Sequence, residues 1–329
     1  MIVASISFVL AASLALYTTP LMRHAALQFG ILDRPHGPLK SQREPVPYLG
    51  GLAVFSAYLV TLSVMFEFSH AVLGILLAGT LMLLVGLIDD LGVLSPWAKL
   101  ASQFIAVIAL IKAGIFIKLV FVPPLAALAV SALWFLAVTN AFNIIDIMDG
   151  LASGVAAIAA VFFALVAIAH EEATVAVMAA ALGGSLVGFL RYNSAPARIY
   201  LGDSGSLFIG LTLAALATNG GYTRSNLVAA LTPVIFLGVP LFDLAFVSIL
   251  RLEQGLSPLR GSPDHFALRL RRAGFGVRHT VLVAYAATFV LCVVGLATMN
   301  APNDNAAMGI VIGLCVMLLV LAAALRKTG

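Results

Sequence analysis

The chain has 329 residues, of which 62% are hydrophobic and 10% are charged, and its formal net charge is +4. Soluble domains carry roughly 45–50% apolar and about 25% charged residues. The composition therefore excludes an ordinary soluble domain and predicts one integral membrane domain over residues 1–329.

Eleven apolar runs approach the length of about 20 residues that a transmembrane helix needs. They lie near residues 2–22, 51–68, 71–88, 98–111, 124–139, 151–169, 173–190, 206–219, 227–250, 281–298 and 307–325. Several runs are short enough for one to be a half-helix. We therefore predict an all-α, polytopic transmembrane bundle of 10–11 helices.

The basic residues indicate an orientation. With the N-terminus outside, fifteen of the eighteen Lys and Arg residues fall in inner loops, which the positive-inside rule favours. The positive charge is then a topology signal, and no nucleic-acid partner is predicted. Seven aspartates share that inner side: Asp33, Asp89, Asp90, Asp146, Asp149, Asp203 and Asp264. Because acids contribute little to topology, a second cause must gather them there.

The first two inner loops combine basic and acidic groups. Residues 30–51 read GILDRPHGPLKSQREPVPYLGG and present Lys40 at the membrane surface, although a basic loop can also serve topology alone. Residues 87–99 read LIDDLGVLSPWAK, in which Asp89 and Asp90 end an apolar helix. Adjacent carboxylates repel each other, so a divalent cation or a cationic partner is expected nearby. A solvated helix end is the alternative.

The third loop, NAFNIIDIMDG at residues 140–150, places an amide or a carboxylate at every third position. An α-helix would spread Asn143 to Asp149 over about 120°, whereas a 3₁₀ turn would align them. Either geometry would aim these side chains at one pocket, and Gly150 lets backbone approach a ligand closely. Such oxygen donors suit Mg²⁺ or Mn²⁺. Helix capping by single residues is the alternative.

The remaining inner loops bring a helix start and a basic segment. Residues 198–210 read RIYLGDSGSLFIG, so Asp203 stands where free N–H groups could bind a phosphate, with a plain helix cap as the alternative. Residues 251–274 are rich in arginine and could instead bind anionic lipid. Asp243 lies inside an apolar run, where a functional role and a structural hydrogen bond are equally open. Together the loops predict a cytosol-facing site for diphosphate chemistry.

Four motifs in succession, DRPHGPLKSQREPVPYLGG, IDDLG, TNAFNIIDIMDGLASG and IYLGDSGSLFIG, resemble those of the polyprenyl-phosphate N-acetylhexosamine-1-phosphate transferases. The form NAFNIID–MDG looks closer to the bacterial branch that uses UDP-N-acetylglucosamine than to the branch that uses UDP-MurNAc-pentapeptide. The resemblance implies a multi-pass protein of the inner (plasma) membrane that begins a cell-envelope polysaccharide. Its substrates would be a cytosolic UDP-HexNAc and polyprenyl phosphate in the membrane, and a homodimer is compatible with it.

The resemblance also implies roles for particular residues. Asn143 and Asp203 would hold Mg²⁺, with Mn²⁺ as a substitute. The carboxylates of Asp89, Asp90 and Asp146 would serve catalysis, the first two beside the lipid phosphate and the third in support of the metal. The substrate contacts would come from Lys40, Asp149, Gly150, Asp264, His265 and Arg269.

The sequence departs from the family pattern in two places. SPDHFALRLRR keeps only His265 of an H-x-H-H cluster, and Ile147 replaces a glycine of many members. Three other functions stay open: the UDP-MurNAc-pentapeptide phosphotransferase of the same family, an intramembrane prenyltransferase and a secondary transporter. The prenyltransferase would need longer aspartate motifs than the Asp89–Asp90 pair. The transporter would favour internal repeats and polar residues at mid-bilayer.

Overall fold

The structure is a computed structural model that describes residues 1–33, 45–65, 68–92, 94–118, 123–257 and 261–327. Within these ranges it forms two compact units, residues 1–220 (unit 1) and 221–329 (unit 2). The prediction of a single domain over residues 1–329 stays a prediction.

Unit 1 is helical apart from one short strand pair. Its helices are α1 (Ile2–Gln28), α2 (Gly50–Met65), α3 (His70–Asp90), α4 (Pro96–Lys112), α5 (Pro124–Ile145), α6 (Leu151–Ala169), α7 (Ala173–Asn193) and α8 (Gly202–Leu216), followed by the 3₁₀ turn Ala217–Asn219. Strands β1 (Leu32–Asp33) and β2 (Val46–Pro47) pair antiparallel, with Leu32 opposite Pro47.

Helix α8 lies in the core of unit 1. Apart from Asp203, all of its residues are buried, including the small polar residues Ser206 and Thr212. It packs against α3 on one side and α5 on another. Because α8 starts at the level where α3 and α5 end, its first residues meet the C-terminal side chains of both helices. This packing assembles the polar residues described below.

The described residues of unit 2, 221–257 and 261–327, form five helices and two 3₁₀ turns. The turns are Tyr222–Arg224 and Val228–Leu231, and the helices are α9 (Thr232–Phe236), α10 (Gly238–Glu253), α11 (Phe266–Arg272), α12 (Val277–Met299) and α13 (Asp304–Arg326). Asn303 caps α13 by accepting the N–H of Ala306 at 2.9 Å. Most of α13 is exposed, and the exposed side chains include Leu319 and Val320, as expected for a lipid-facing helix.

The prediction of an all-α polytopic membrane protein is confirmed. Each of the eleven predicted runs falls on a helix, but among the described residues only seven helices are long and apolar enough to cross a membrane. The count becomes eight if Val228–Phe236 and Gly238–Glu253, bent by 80°, form one broken span. Fewer spans result because α2, α4 and α8 have only 16, 17 and 15 residues. Which side of the membrane each end faces stays a prediction.

Candidate active site

Four helix ends meet in unit 1, and local sequence signals set where each one lies. Gly92, in a left-handed conformation with φ +74°, turns the chain after α3. Ser95 then accepts the N–H of Ala98 at 3.2 Å, and Pro96 opens α4 as its first residue. Helix α5 ends at Ile145, and α8 begins at Gly202. The ends of α3 and α5 and the starts of α4 and α8 lie close together.

The ammonium group of Lys99 lies among oxygen atoms from three other helices. Its Nζ is 2.7 Å from Oδ2 of Asp89, 2.6 Å from Oδ2 of Asp203 and 2.9 Å from Oδ1 of Asn143. The side chains of Lys99 and Asp89 are each 17% exposed, so water and salt screen these charges incompletely. One positive charge therefore compensates two carboxylates that would otherwise repel each other.

Asn143 links this charge cluster to the core of α8. Its Nδ2 donates to Oδ1 of Asp203 at 2.8 Å and to Oγ of the fully buried Ser206 at 3.0 Å. Its Oδ1 faces the Lys99 ammonium instead. The sequence motifs predict that Asn143 and Asp203 come together, and the structure brings them into direct contact. Their role as metal ligands stays a prediction.

Asp90 points away from Lys99 and towards the backbone of α8. Its Oδ1 accepts the N–H of Asp203 at 2.8 Å, and its Oδ2 accepts the N–H of Ser204 at 3.2 Å. The sequence predicts that these N–H groups bind a phosphate, with a plain helix cap as the alternative. That prediction is wrong for this pair of amides, because a carboxylate of α3 already accepts both. A catalytic role for Asp90 stays a prediction.

The turn after α5 carries Asp146 and Asp149. Burial raises the pKa of Asp146 well above its ordinary value, and the negative charges of Asp203, Asp90 and Asp149 raise it further. Asp149 accepts the backbone N–H of Ala197 at 2.9 Å, so it holds the loop that precedes α8. Gly150 follows with φ +77° and opens α6. Both aspartates lie near the cluster, while their catalytic and substrate-binding roles stay predictions.

Asn140 does not share the contacts of Asn143, although the sequence predicts one pocket for the polar side chains of residues 140–150. It forms a reciprocal amide pair with Gln103 of α4, with distances of 2.7 Å and 3.2 Å. Gln103 is one turn beyond Lys99, and Asn140 is one turn before Asn143, so two polar contacts lie side by side between α4 and α5. Asn140 and Asn143 are three residues apart on the α-helix α5, and packing gives them different neighbours: α4 meets Asn140, and the start of α8 meets Asn143.

The residues predicted from the fifth loop belong to unit 2. His265 Nδ1 lies 2.7 Å from Oδ2 of Asp243, whose Oδ1 accepts the N–H of Phe266 at 2.8 Å. Asp243 is fully buried, and His265 is 5% exposed. Of the two roles left open for Asp243, the structural hydrogen bond is therefore the one observed. It holds the start of α11 and orients the imidazole.

All three guanidinium nitrogens of Arg269 form polar contacts within unit 2. Nη2 contacts Oδ1 of Asp264 at 2.8 Å, Nη1 donates to the carbonyl of Leu325 at 2.9 Å, and Nε donates to the carbonyl of Asp264 at 3.2 Å. Its exposure is 5%. These contacts fix α11 to the end of α13, and they give no support to the predicted substrate contact of Arg269. The roles of Asp264 and His265 stay predictions.

Three residues in or near the cluster are not predicted as site residues from the sequence. Lys99 is one of the fifteen basic residues that indicate topology, although a lysine one turn into the helix after an aspartate pair is a plausible counter-charge. Ser206 and Tyr200 lie in the motif at residues 198–210, where only Asp203 is predicted to have a role. Burial raises the pKa of Tyr200, and the charges of Asp149, Asp33 and Asp146 add to this effect, which places its hydroxyl near that acidic turn. Lys40 lies outside the described residues.

The oxygen donors of the cluster bear on whether it could hold a divalent cation. Among the described residues, no group of three or more His, Cys, Asp and Glu side chains could hold a metal ion. Mg²⁺, however, is commonly held by one or two carboxylates together with substrate phosphates and water. Two carboxylates and one amide oxygen already surround a single cationic nitrogen here. These residues fit a magnesium site that substrate phosphates complete.

Comparisons with known proteins identify the family of this chain. The sequence model described as "Glycosyl transferase family 4" matches residues 72–221, which contain the whole Lys99 cluster. A protein of Bacillus subtilis (strain 168), "Probable undecaprenyl-phosphate N-acetylglucosaminyl 1-phosphate transferase", is 30% identical over 90% of this chain and 85% of its own length. The chain therefore belongs to glycosyl transferase family 4.

Two further relatives show how broadly the family likeness extends. "Decaprenyl-phosphate N-acetylglucosaminephosphotransferase" of Mycolicibacterium smegmatis (strain ATCC 700084 / mc(2)155) is 27% identical over 97% of this chain and 88% of that protein. "Phospho-N-acetylmuramoyl-pentapeptide-transferase" of Bacillus thuringiensis (strain Al Hakam) is 29% identical over 90% of this chain and 96% of that protein. The likeness thus covers nearly the whole chain in both branches.

Proposed function

We propose that this protein transfers N-acetylhexosamine 1-phosphate, with N-acetylglucosamine as the preferred sugar, from its UDP derivative to polyprenyl phosphate. One observation carries the proposal. In a family member whose relatives are named for this reaction, four helix ends assemble Asp89, Lys99, Asn143 and Asp203 around one positive charge. An oxygen-rich cluster that already holds a cation is suited to a diphosphate substrate bound with a metal.

In the proposed reaction, a phosphate oxygen of polyprenyl phosphate attacks the β-phosphorus of the UDP-sugar. A new P–O bond forms there, and the bond from the β-phosphorus to the oxygen shared with the α-phosphorus breaks. UMP leaves with that electron pair, and polyprenyl-diphosphate-HexNAc remains in the membrane. The attacking phosphate is already largely ionised at neutral pH, so positioning matters more than deprotonation.

Each residue of the cluster has a part in this proposal. Asn143 and Asp203 would hold Mg²⁺, which supplies charge neutralisation for the diphosphate when it is bound. Lys99 keeps the oxygen donors together and is the side-chain cation at the centre of the cluster. Asp89 contacts Lys99 and lies where the acceptor phosphate would be oriented. Asp149 and Gly150, in the turn that holds the loop before α8, would contact the nucleoside end of the donor.

The surroundings of the reaction are part of the same proposal. The predicted topology puts these helix ends at the cytoplasmic face of the plasma membrane. A UDP-sugar would reach them from the cytosol, and the acceptor would reach them from the lipid.

The assay is release of UMP by the purified protein in lipid nanodiscs. We expect UMP from UDP-N-acetylglucosamine only when polyprenyl phosphate and Mg²⁺ are both present, and none after chelation with EDTA. UMP formed without the acceptor would contradict the proposed transfer. Substrate flux across proteoliposomes without UMP would instead support a transporter.

A matched pair of variants on α5 tests the metal assignment. Asn143→Leu removes the amide that bridges Lys99 and Asp203, so we expect turnover to fall by at least about 10²-fold. Asn140→Leu, one turn earlier on the same helix, removes the contact to Gln103 and should leave most of the turnover. Full activity of Asn143→Leu would show that the metal assignment is wrong.

The second candidate is the use of UDP-MurNAc-pentapeptide. It is favoured by the similarity to the Bacillus thuringiensis relative across 96% of that protein. A panel of UDP-sugars separates the two candidates. Turnover of UDP-MurNAc-pentapeptide in preference to UDP-N-acetylglucosamine would replace the first candidate by the second.

A further inference from the structure

The two adjacent aspartates that end α3 face different partners. Successive residues of an α-helix point about 100° apart, so Asp89 and Asp90 cannot share one direction. Asp89 contacts Nζ of Lys99 at 2.7 Å. Asp90 instead accepts the backbone N–H groups of Asp203 and Ser204 at 2.8 Å and 3.2 Å. The pair therefore divides between the charge cluster and the start of α8.

The surrounding backbone is shaped for the contact of Asp90. Gly202 has φ +73°, and a Cβ atom added there would lie 2.7 Å from Oδ2 of Asp90. Gly86, one turn before Asp90, faces the backbone of Asp203 and Ser204 so closely that a Cβ atom would overlap it. Two glycines thus let α3 reach the first turn of α8. Any side chain at either position would displace Asp90 from the amides.

The contact meets a need that α8 does not meet with its own residues. The first N–H groups of a helix have no partner within the helix, and a negative charge there is favoured by the helix dipole. The residue before α8 is Leu201, which provides no side-chain cap. Asp90 supplies the acceptors for two of these N–H groups, those of Asp203 and Ser204, together with a negative charge. Because Asp203 is the second residue of α8, the same contact sets where its carboxylate meets Lys99 and Asn143.

We propose that Asp90 is a positioning residue, which holds the first turn of α8 so that Asp203 meets Asn143, while Asp89 is the member of the pair that works in the charge cluster. The consequence for catalysis rests on the proposed function. The positioning itself is independent of the proposed function, because it concerns the hydrogen bonds of two backbone amides of this chain. Asp90 therefore acts on the reaction through Asp203, without contact to the acceptor phosphate.

Hydrogen exchange at the amides of Asp203 and Ser204 tests the positioning directly. In the full-length protein in lipid nanodiscs, these amides should exchange slowly in the wild type. Asp90→Ala removes both acceptors and should speed their exchange by about 10- to 100-fold, the range expected for lost hydrogen bonds to a charged group. Asp90→Asn keeps one acceptor oxygen and should give an intermediate rate. Fast exchange in the wild type, at the rate of exposed loop amides, would overturn the proposal without any variant.

Asp89→Asn is the matched control, since it alters the neighbouring carboxylate of the same helix. It should leave the exchange of the Asp203 and Ser204 amides within about 3-fold of the wild type, well inside the 10-fold step expected from a lost contact. If Asp89→Asn loosened these amides as much as Asp90→Asn does, the two aspartates would not divide as proposed.

Steady-state kinetics separate positioning from direct contact with the acceptor. Asp90→Asn should raise the Mn²⁺ concentration for half-saturation about 10-fold, measured by the electron paramagnetic resonance of free Mn²⁺. In turnover assays, it should lower kcat with little change in the KM for polyprenyl phosphate. Asp90→Ala should be more severe. A raised KM for polyprenyl phosphate with unchanged amide exchange would assign Asp90 to the acceptor and overturn the proposal. A wild type that releases no UMP would end the proposed function alone, because the exchange experiment would still decide the role of Asp90.

Discussion

Replacing Lys99 by methionine removes the charge that joins Asp89, Asp203 and Asn143 while keeping a side chain of similar length. Removal of one partner from a buried ion pair costs about 3–5 kcal/mol. The Asp89 side chain is 17% exposed, but that of Asp203 is 34% exposed and better screened by water. We therefore expect the lower end, about 3 kcal/mol of folding free energy. This corresponds to a fall of roughly 5–10 °C in the thermal midpoint.

The same change should also lower kcat/KM by about 10²-fold, because it removes the side-chain cation at the centre of the proposed site, where one electrostatic contact contributes about that factor. It also leaves two carboxylates without a counter-charge. If Mg²⁺ binds their oxygens, it should raise the thermal midpoint of the Lys99→Met variant by more than that of the wild type. Unfolding would be followed by differential scanning fluorimetry in detergent micelles, and turnover by UMP release.

Lys112→Met is the matched control, because this lysine is exposed at the other end of the same helix. It makes the same change in charge and should shift the midpoint by less than about 1 °C. The reasoning is refuted if Lys99→Met and Lys112→Met behave alike in both assays. Loss of stability without any loss of turnover would refute the catalytic part alone.

Three further predictions concern single contacts. Because the pKa of Asp146 is raised in the folded protein, its stabilising contribution is complete below its unfolded pKa and is lost as the pH rises through the folded value. Asp146→Asn should therefore raise the thermal midpoint at pH 7 and flatten its fall from pH 5 to pH 8, and a lower midpoint would contradict this. Gln103→Leu and Asn140→Leu should each cost about 1–3 kcal/mol, while the double variant should cost less than their sum in a double-mutant cycle by denaturant unfolding. Asp243→Asn loses an acceptor for His265 and should cost about 1–3 kcal/mol in the same measurement, where an unchanged midpoint would show that the contact contributes nothing.

Much of the site could be predicted from the sequence because it depends on where helices end. Apolar runs predicted the helices of the described residues except the short α11, although α9 and α10 were read as one run, and the motifs at the helix ends predicted that Asn143 and Asp203 would come together. That prediction did not require knowing how each helix is rotated about its axis, because both residues stand at the ends of helices that pack side by side. The number of spans was less predictable. An apolar run of 15 to 17 residues reads as a span, although its helix is too short by length alone.

The parts that could not be predicted depend on the rotation of each helix about its axis. Asp89 and Asp90 look equivalent in the sequence, but packing of α3 on α8 sends one to Lys99 and the other to backbone amides. Arg269 reads as an anion-binding residue, but in the fold it meets Asp264 and the end of α13.

The sequence by itself determined that this protein lies in a membrane, where its helical elements are, and which polar groups gather at the helix ends. Those properties follow from composition and local pattern, which act within a few residues along the chain. Only the tertiary structure decided which carboxylate meets Lys99 and which one caps α8. That choice depends on the close approach of separate helices, which Gly86 and Gly202 allow and which no local signal specifies.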